Sequence, residues 1–405
     1  MQLPDAAWLH DNALRRLAEA LRLDRKPPRI VGGAVRDALL AIDVADIDLA
    51  TPLVPEEVIE RLESAHIKAV PTGIEHGTVT AVFDGRTFEI TTLRRDVSTD
   101  GRRATVEFSI DWKEDAARRD FTINALSADP DNRQIFDYFD GLADLKNHHI
   151  RFIGDAEQRI AEDHLRILRL FRFHARFGKG AIDAKALAAA AKHSSKLMAL
   201  SRERIADELR KLLSVSSPAG AVQAMLDSGI FTPFLPEVLP KAGHILAQLQ
   251  AREKASGSEP SAARRLSAIL PPDPLIVEKI SARLKLSNRM RADLTQLAAH
   301  RASSATARQL AYSVGLENAR HIMLLSYADD RWATELASLD RWSVPELPIK
   351  GGELIKRGLR AGPVVAKTLQ AIEGQWVAES FPPQSRVSEI ADQLVAKALR
   401  SERKE

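Results

Sequence analysis

The sequence predicts an α+β fold in its first third and an all-α remainder, and three observations carry that prediction. Short β-branched runs alternating with polar residues occur in the first third, with Gly or Asp at the turns. From about residue 156 apolar residues recur at spacings of three and four, as in EQRIAEDHLRILRLFRFHARF and SRERIADELRKLL. Breaker clusters at Lys254 to Ala262, Pro271 to Pro274, Val344 to Pro348 and Phe381 to Gln384 divide this helical stretch. At 405 residues the chain exceeds the size at which one core keeps growing, so several packed modules are expected.

Taken in order, Arg29-Ile30-Val31 reads as a strand running into Gly32-Gly33, with a helix over Ala34 to Leu40. Asp46-Ile47-Asp48-Leu49 alternates again. Thr78 to Phe83 and Arg86 to Leu93 are alternating runs joined by Asp84-Gly85, a two-residue hairpin signal. No fixed-period repeat follows, and the terminal SERKE reads as a frayed tail.

Zero cysteines exclude disulfides and thiolate metal sites, so any metal must sit on oxygen or imidazole ligands. No run of about 18 apolar residues exists, and the opening residues are polar, which points to a cytoplasmic setting without membrane contact. The net charge of +3 is too small to prove a polyanionic partner. Clustering is more informative: Arg166, Arg169, Arg172 and Arg176 share one stretch, and Lys350, Lys356, Arg357, Arg360 and Lys367 gather late in the chain. Solvated helix faces would produce the same runs.

In a strand, Asp46 and Asp48 project to one face while Ile47 and Leu49 pack behind. Their carboxylates then stand roughly 7 Å apart, a separation that suits two bridging metal ions. Upstream, glycines at Gly32-Gly33 let backbone N–H groups approach a phosphate, and Arg36 can add a charge-assisted contact. A plain strand-to-helix turn would look the same in isolation. The glycine spacing does not fit the dinucleotide-binding fingerprint.

GGAVRD followed by DIDLAT resembles the nucleotidyltransferase signature of the polymerase β superfamily, in the form shared by bacterial CCA-adding enzymes and poly(A) polymerases. Arg118 to Ala125 (RRDFTINA) is similar to the family's second motif, and Glu162 to Arg166 (EDHLR) to its base-reading motif. Ser201 to Leu213 resembles a later helical motif, and residues 348–377 more loosely resemble the C-terminal segment. The resemblance implies a nucleotidyltransferase head with a small mixed sheet at 1–145, a helical neck at 146–215, a helical body at 216–300 and a helical, tRNA-binding tail at 301–405. It implies Mg²⁺ on Asp46 and Asp48, triphosphate contacts from Gly32, Gly33 and Arg36, and a nucleotide contact from Arg119. Asp163, Arg166, Arg169 and Arg172 match neck positions associated with nucleotide binding. Glu89, on a strand with Thr87 and Thr91, is a candidate third carboxylate. Asp137 to Gly141 departs from the Pro and double glycine of many relatives, which puts the hinge geometry in doubt but not the metal site.

If Asp163 and Arg166 lie three apart on one helix, they share a face. An acceptor and a donor there match the amino group and ring nitrogen of cytosine or adenine, whereas uracil and guanine reverse both. Such mismatches reject analogues by about 10⁴ to 10⁵. The bland alternative is an ordinary helix ion pair. The activity these motifs imply is CCA addition to tRNA from CTP and ATP, with no obligate protein partner. A poly(A) polymerase, an enzyme adding only CC or only A, and a noncatalytic RNA-binding protein are the rivals. The only His-Asp dipeptide, His10-Asp11, gives no basis for an attached phosphohydrolase domain.

Overall fold

The computed structural model describes residues 1–24, 26–99, 104–326 and 331–402. The chain forms two compact units, Met1–His244 and Ile245–Glu405. The division into four modules expected from the sequence is finer than this, and the tail residues 403–405 lie outside the described residues.

The strands of the first unit are β1 (Arg29–Val31), β2 (Asp48–Thr51), β3 (Lys68–Gly73), β4 (Thr78–Phe83), β5 (Arg86–Thr92), β6 (Arg94–Thr99), β7 (Ala104–Phe108), β8 (Ser127–Ala128) and β9 (Ile135–Phe136). Seven of them form one mixed sheet in the order β3-β4-β5-β2-β1-β8-β9, and β6 pairs with β7 separately. The hairpin between β4 and β5 turns on Asp84 and Gly85, whose φ angles of 51° and 72° suit the twist of the flanking strands. β2 runs parallel to β5 and antiparallel to β1.

The helices of this unit are α1 (Asn12–Ala20), α2 (Gly33–Leu39), α3 (Pro55–Ser64), α4 (Trp112–Ala117), α5 (Gly141–Lys146), α6 (Ala156–Glu162), α7 (Arg166–Phe177), α8 (Ala184–Lys192), α9 (Arg202–Ser214) and α10 (Ala219–Asp227). α7 buries Ile167, Leu168, Leu170, Phe171, Phe173 and Phe177, the stripe that its three-and-four spacing predicts. Its arginines emerge along the remaining face. The continuous helix read over Glu157 to Phe177 is two helices in the structure, because Asp163 has extended backbone (φ −146°, ψ 107°) and its side chain accepts from Leu165 N–H at 3.0 Å. That local bond competes with the helical ladder and starts a new helix.

The departure at Asp137 to Gly141 also has a physical form. Asp137 accepts backbone N–H bonds from Phe139, Gly141 and Leu142. A Cβ on Gly141 would stand 2.3 Å from the Thr122 carbonyl oxygen, so glycine is what lets α5 approach the turn at Thr122–Asn124.

The second unit is helical throughout its described residues. One core cluster gathers Leu354, Leu359, Ile372, Trp376, Val387 and Ile390. Elsewhere in this unit Glu253 is buried between Arg264 and Arg265, at 2.6 and 2.7 Å.

Candidate active site

The turn into α2, the start of β2, the segment after α4, the start of α7 and Arg204 of α9 line a cleft of about 450 Å³. It brings together Gly32, Gly33, Arg36, Asp48, Arg119, Asp163, Arg166 and Arg169 from positions spread over the first unit. Besides the candidate third carboxylate Glu89, two expected residues are not on its wall. Asp46 is exposed and precedes β2, which begins only at Asp48. Arg172 faces a separate groove with Arg176, Arg210 and Lys211, because each successive arginine of α7 sits further around and along the helix.

Gly32 has φ 68° and ψ −121°, a conformation that a residue with a Cβ resists. A Cβ there would also stand 2.9 Å from Arg119 Nη1, so the glycine makes room for that guanidinium. Gly33 lacks both constraints: a Cβ would lie 3.6 Å from Arg36 Nη2, ordinary contact.

Asp48 is the register partner of Glu89 across the parallel β2–β5 pair, which puts both carboxylates on one face. The Asp48 carboxyl is pushed up to about 6, first by burial and then by the Glu89 charge; Arg119 pulls it back and Asp46 adds a further push. No hydrogen bond or ion pair among the described residues neutralises Asp46, Asp48 or Glu89. Among the described residues, no three His, Asp or Glu side chains converge into a metal cage by themselves.

A chain of polar contacts ties the cationic wall together. Arg36, only 6% exposed, donates to Asn124 Oδ1 at 2.5 Å and to Asp37, and stacks over the Phe177 ring. Asn124 donates to Asp120 Oδ1 at 2.9 Å, and Arg169 Nε donates to Asp120 Oδ2 at 2.7 Å. Arg172 Nε donates to the buried Glu208 at 2.7 Å. Burial holds Arg36 below the usual guanidinium range; it also pulls Arg169 down, but the Asp120 and Glu208 charges outweigh it and leave Arg169 raised. Asp120, Asn124 and Glu208 lie inside motifs of the sequence, but their roles become visible only in these contacts. Glu208 had a readable signal, since it shares the apolar helix face of Ile205 and Leu212.

Asp163 and Arg166 share the cleft, but not through the helical spacing expected, because Asp163 stands outside α7. Arg166 donates from Nη1 to the Arg159 carbonyl at 2.9 Å and to Glu162 at 2.6 Å, and from Nη2 to the Arg118 carbonyl at 2.9 Å. Among the described residues, two of its five donors stay uncommitted. The cation on Asp163 is Arg204 of α9, at 3.0 Å.

Residues 28–151 match the poly A polymerase head domain family, and residues 181–241 match a family described as "Probable RNA and SrmB- binding site of polymerase A". The CCA tRNA nucleotidyltransferase 1, mitochondrial, of Mus musculus is 35% identical over 394 residues, spanning 93% of this chain and 88% of that protein. The chain belongs to the CCA-adding tRNA nucleotidyltransferases. The CCA-adding enzyme of Lacticaseibacillus paracasei is 33% identical over 362 residues, 87% of this chain and 88% of its own. The crystal structure of the Bacillus stearothermophilus CCA-adding enzyme in complex with CTP superposes with a TM-score of 0.73 at 27% identity, covering 98% of this chain and 99% of that one. The mixed sheet followed by helices is thus the fold of a CCA-adding nucleotidyltransferase, and it agrees with the head-then-helices architecture expected from the sequence.

Proposed function

We infer that this nucleotidyltransferase adds CCA to the 3′ end of tRNA, without a template, from CTP and ATP. The observation that carries the reading is one cleft in which a carboxylate strand, an arginine wall and an acidic residue between α6 and α7 converge. The tRNA 3′-hydroxyl attacks the α-phosphorus in line, a new P–O bond forms, and the bond to the bridging oxygen breaks to release pyrophosphate. Such transfer needs positioning and charge neutralisation more than a covalent nucleophile.

In this reading Gly32 and Gly33 bring backbone N–H groups to the triphosphate, and Arg36 and Arg119 supply charge to it. Asp163 accepts from the amino group of cytosine or adenine. Arg166 donates to the ring nitrogen through its uncommitted N–H groups. Arg169 completes the cationic wall, and Arg172, one turn further along α7, acts on the nucleotide indirectly, through the Glu208 it shares with Arg169 and the Phe173 ring it packs over.

The carboxylates fit a hard divalent cation such as Mg²⁺: they offer oxygen donors alone, they repel one another, and no protein cation among the described residues is ion-paired with them. Asp46 and Asp48 would hold it, with Glu89 beside Asp48 adding negative charge to that face. When bound, the ion supplies Lewis-acid stabilisation of charge at the reacting phosphate. The division into head, neck, body and tail at 1–145, 146–215, 216–300 and 301–405, with the tail on tRNA, belongs to the same proposal, as does a cytoplasmic setting. No described helix is long and apolar enough to cross a membrane.

Incubation with tRNA lacking its 3′ end, Mg²⁺ and each labelled nucleotide singly and in pairs tests the reading. Two C additions with CTP alone, followed by one A when ATP is present, are expected. A long A tract, or addition of C or A only, would assign a rival activity.

A further inference from the structure

We propose that Asp115 of α4 is a positioning residue that holds Arg119 away from Asp48 and so keeps that carboxylate open to the divalent cation; this rests on the metal role of Asp48 and the nucleotide role of Arg119 inferred above. Asp115 is 4% exposed, and each of its oxygens takes one guanidinium. Oδ1 accepts from Arg118 Nε at 2.9 Å and Oδ2 from Arg119 Nη2 at 3.4 Å, while the Arg94 backbone N–H bonds to the same carboxylate. Burial pushes the Asp115 carboxyl up, but the two arginines outweigh it and hold the group below its ordinary range, so it stays charged.

On its other side Arg119 borders the metal face. The β1–β2 register that pairs Ile30 with Leu49 puts Val31 opposite Asp48, and Gly32, the next residue along, is the one whose Cβ would stand 2.9 Å from Arg119 Nη1. The Arg119 charge is felt at Asp48, yet the two form no ion pair among the described residues. Asp48 and Asp115 are thus rival carboxylates for one guanidinium. Asp48 is crowded by the charges of Glu89 and Asp46, so a guanidinium released from Asp115 would turn and pair with it. Such a pair occupies the oxygens that a hard cation needs, and arginine cannot lose its proton to make way. At 3.4 Å the Asp115 bond is long, so the hold comes from a buried charge more than from bond geometry.

The test reads Mn²⁺ binding to the full chain by electron paramagnetic resonance, without tRNA or nucleotide, and so stands apart from turnover. Asp115→Asn keeps the volume and an acceptor for the Arg94 N–H but removes the charge. It should weaken Mn²⁺ binding about tenfold or more, the scale of one hydrogen bond to a charged group. Arg119→Gln should not weaken it, and adding Asp115→Asn to Arg119→Gln should cost nothing further, because the rival cation is gone. An acid that merely supports the fold would lower Mn²⁺ affinity with or without Arg119. Asp115→Ser, also neutral, carries the same expected pattern and replaces the asparagine variant should circular dichroism show that it does not fold. Unchanged Mn²⁺ affinity in a folded Asp115 variant, or equal losses with and without Arg119, overturn the proposal. Asp48→Asn reports on the metal reading separately: if that variant binds Mn²⁺ as before, Asp48 is not the ligand and the failure lies there.

Discussion

Asp120, 7% exposed, accepts a hydrogen bond from Arg169 Nε at 2.7 Å and so fastens the segment after α4 to helix α7. Burial pushes its carboxyl up, but the Arg169 charge and bonds from Asn124, Arg169 and the Phe121 N–H outweigh it and hold the group below its ordinary range. A depressed carboxyl contributes stability above its unfolded pKa and loses it as pH falls. Asp120→Ala should therefore cost about 1.5 to 3 kcal/mol at pH 7 in urea unfolding, since it removes charge-assisted bonds from a partly exposed guanidinium that keeps Glu208 at 3.8 Å. A cost under about 1 kcal/mol would mean the pair does not hold these elements together.

Asp48→Asn should abolish incorporation of both C and A while stabilising the protein in EDTA. A carboxyl raised to about 6 binds more protons folded than unfolded between roughly pH 4 and 6, so its contribution falls as pH rises through that window. The variant's advantage should grow across the same window and level off near 1 to 3 kcal/mol at neutral pH. Denaturation midpoints at pH 4.5 and 7 decide it; an advantage that does not grow with pH contradicts the carboxylate repulsion.

Gly32→Ala and Gly33→Ala should separate cleanly. The first forces φ 68° on a residue with a Cβ and displaces Arg119, so it should cost about 1 to 3 kcal/mol and lower CTP and ATP use together. The second meets only ordinary contact in the protein and should fold normally. Its loss, if glycine serves close approach of the triphosphate, should appear in nucleotide KM alone. Equal stability losses in the two would sink this distinction.

Lys350, Lys356, Arg360 and Lys367 are exposed on the second unit, as a phosphate-binding role requires. Neutralising them should flatten the slope of log binding constant against log salt for tRNA by about 0.9 for each phosphate the protein then leaves unpaired. Turnover at saturating tRNA should hold. An unchanged slope would leave these charges as a solvated face.

His321, in the second unit, is pushed down to about 4 by burial and then by the Arg264 charge, and its Nδ1 has no hydrogen-bond partner among the described residues. A histidine depressed in the fold binds fewer protons there than when unfolded, so stability drops as pH falls from 6.5 towards 4. The loss should approach about 3 kcal/mol at the lower limit. His321→Gln should remove most of that part of the pH dependence, which stability curves between pH 7 and 4 would reveal.

Local chain chemistry determined much of this protein by itself. The strand Arg29–Val31, the glycine turn into α2, the Asp84-Gly85 hairpin and the apolar stripe of α7 follow from backbone preferences and periodicities within a dozen residues. The motifs placed Asp48, Arg36, Arg119, Asp163, Arg166 and Arg169 in order along the chain, and the fold gathered them in one cleft. Tertiary structure alone decided who faces whom. Glu89 stands beside Asp48 because β2 and β5 pair in parallel at that register, and Arg204 reaches Asp163 from 41 positions away because α9 packs on α7. The break at Asp163 and the departure of Arg172 from the cleft were equally hidden. Periodicity reports which face of a helix is apolar, but the partner of each polar group is set by how separate elements pack, and that information is not local to any stretch of sequence.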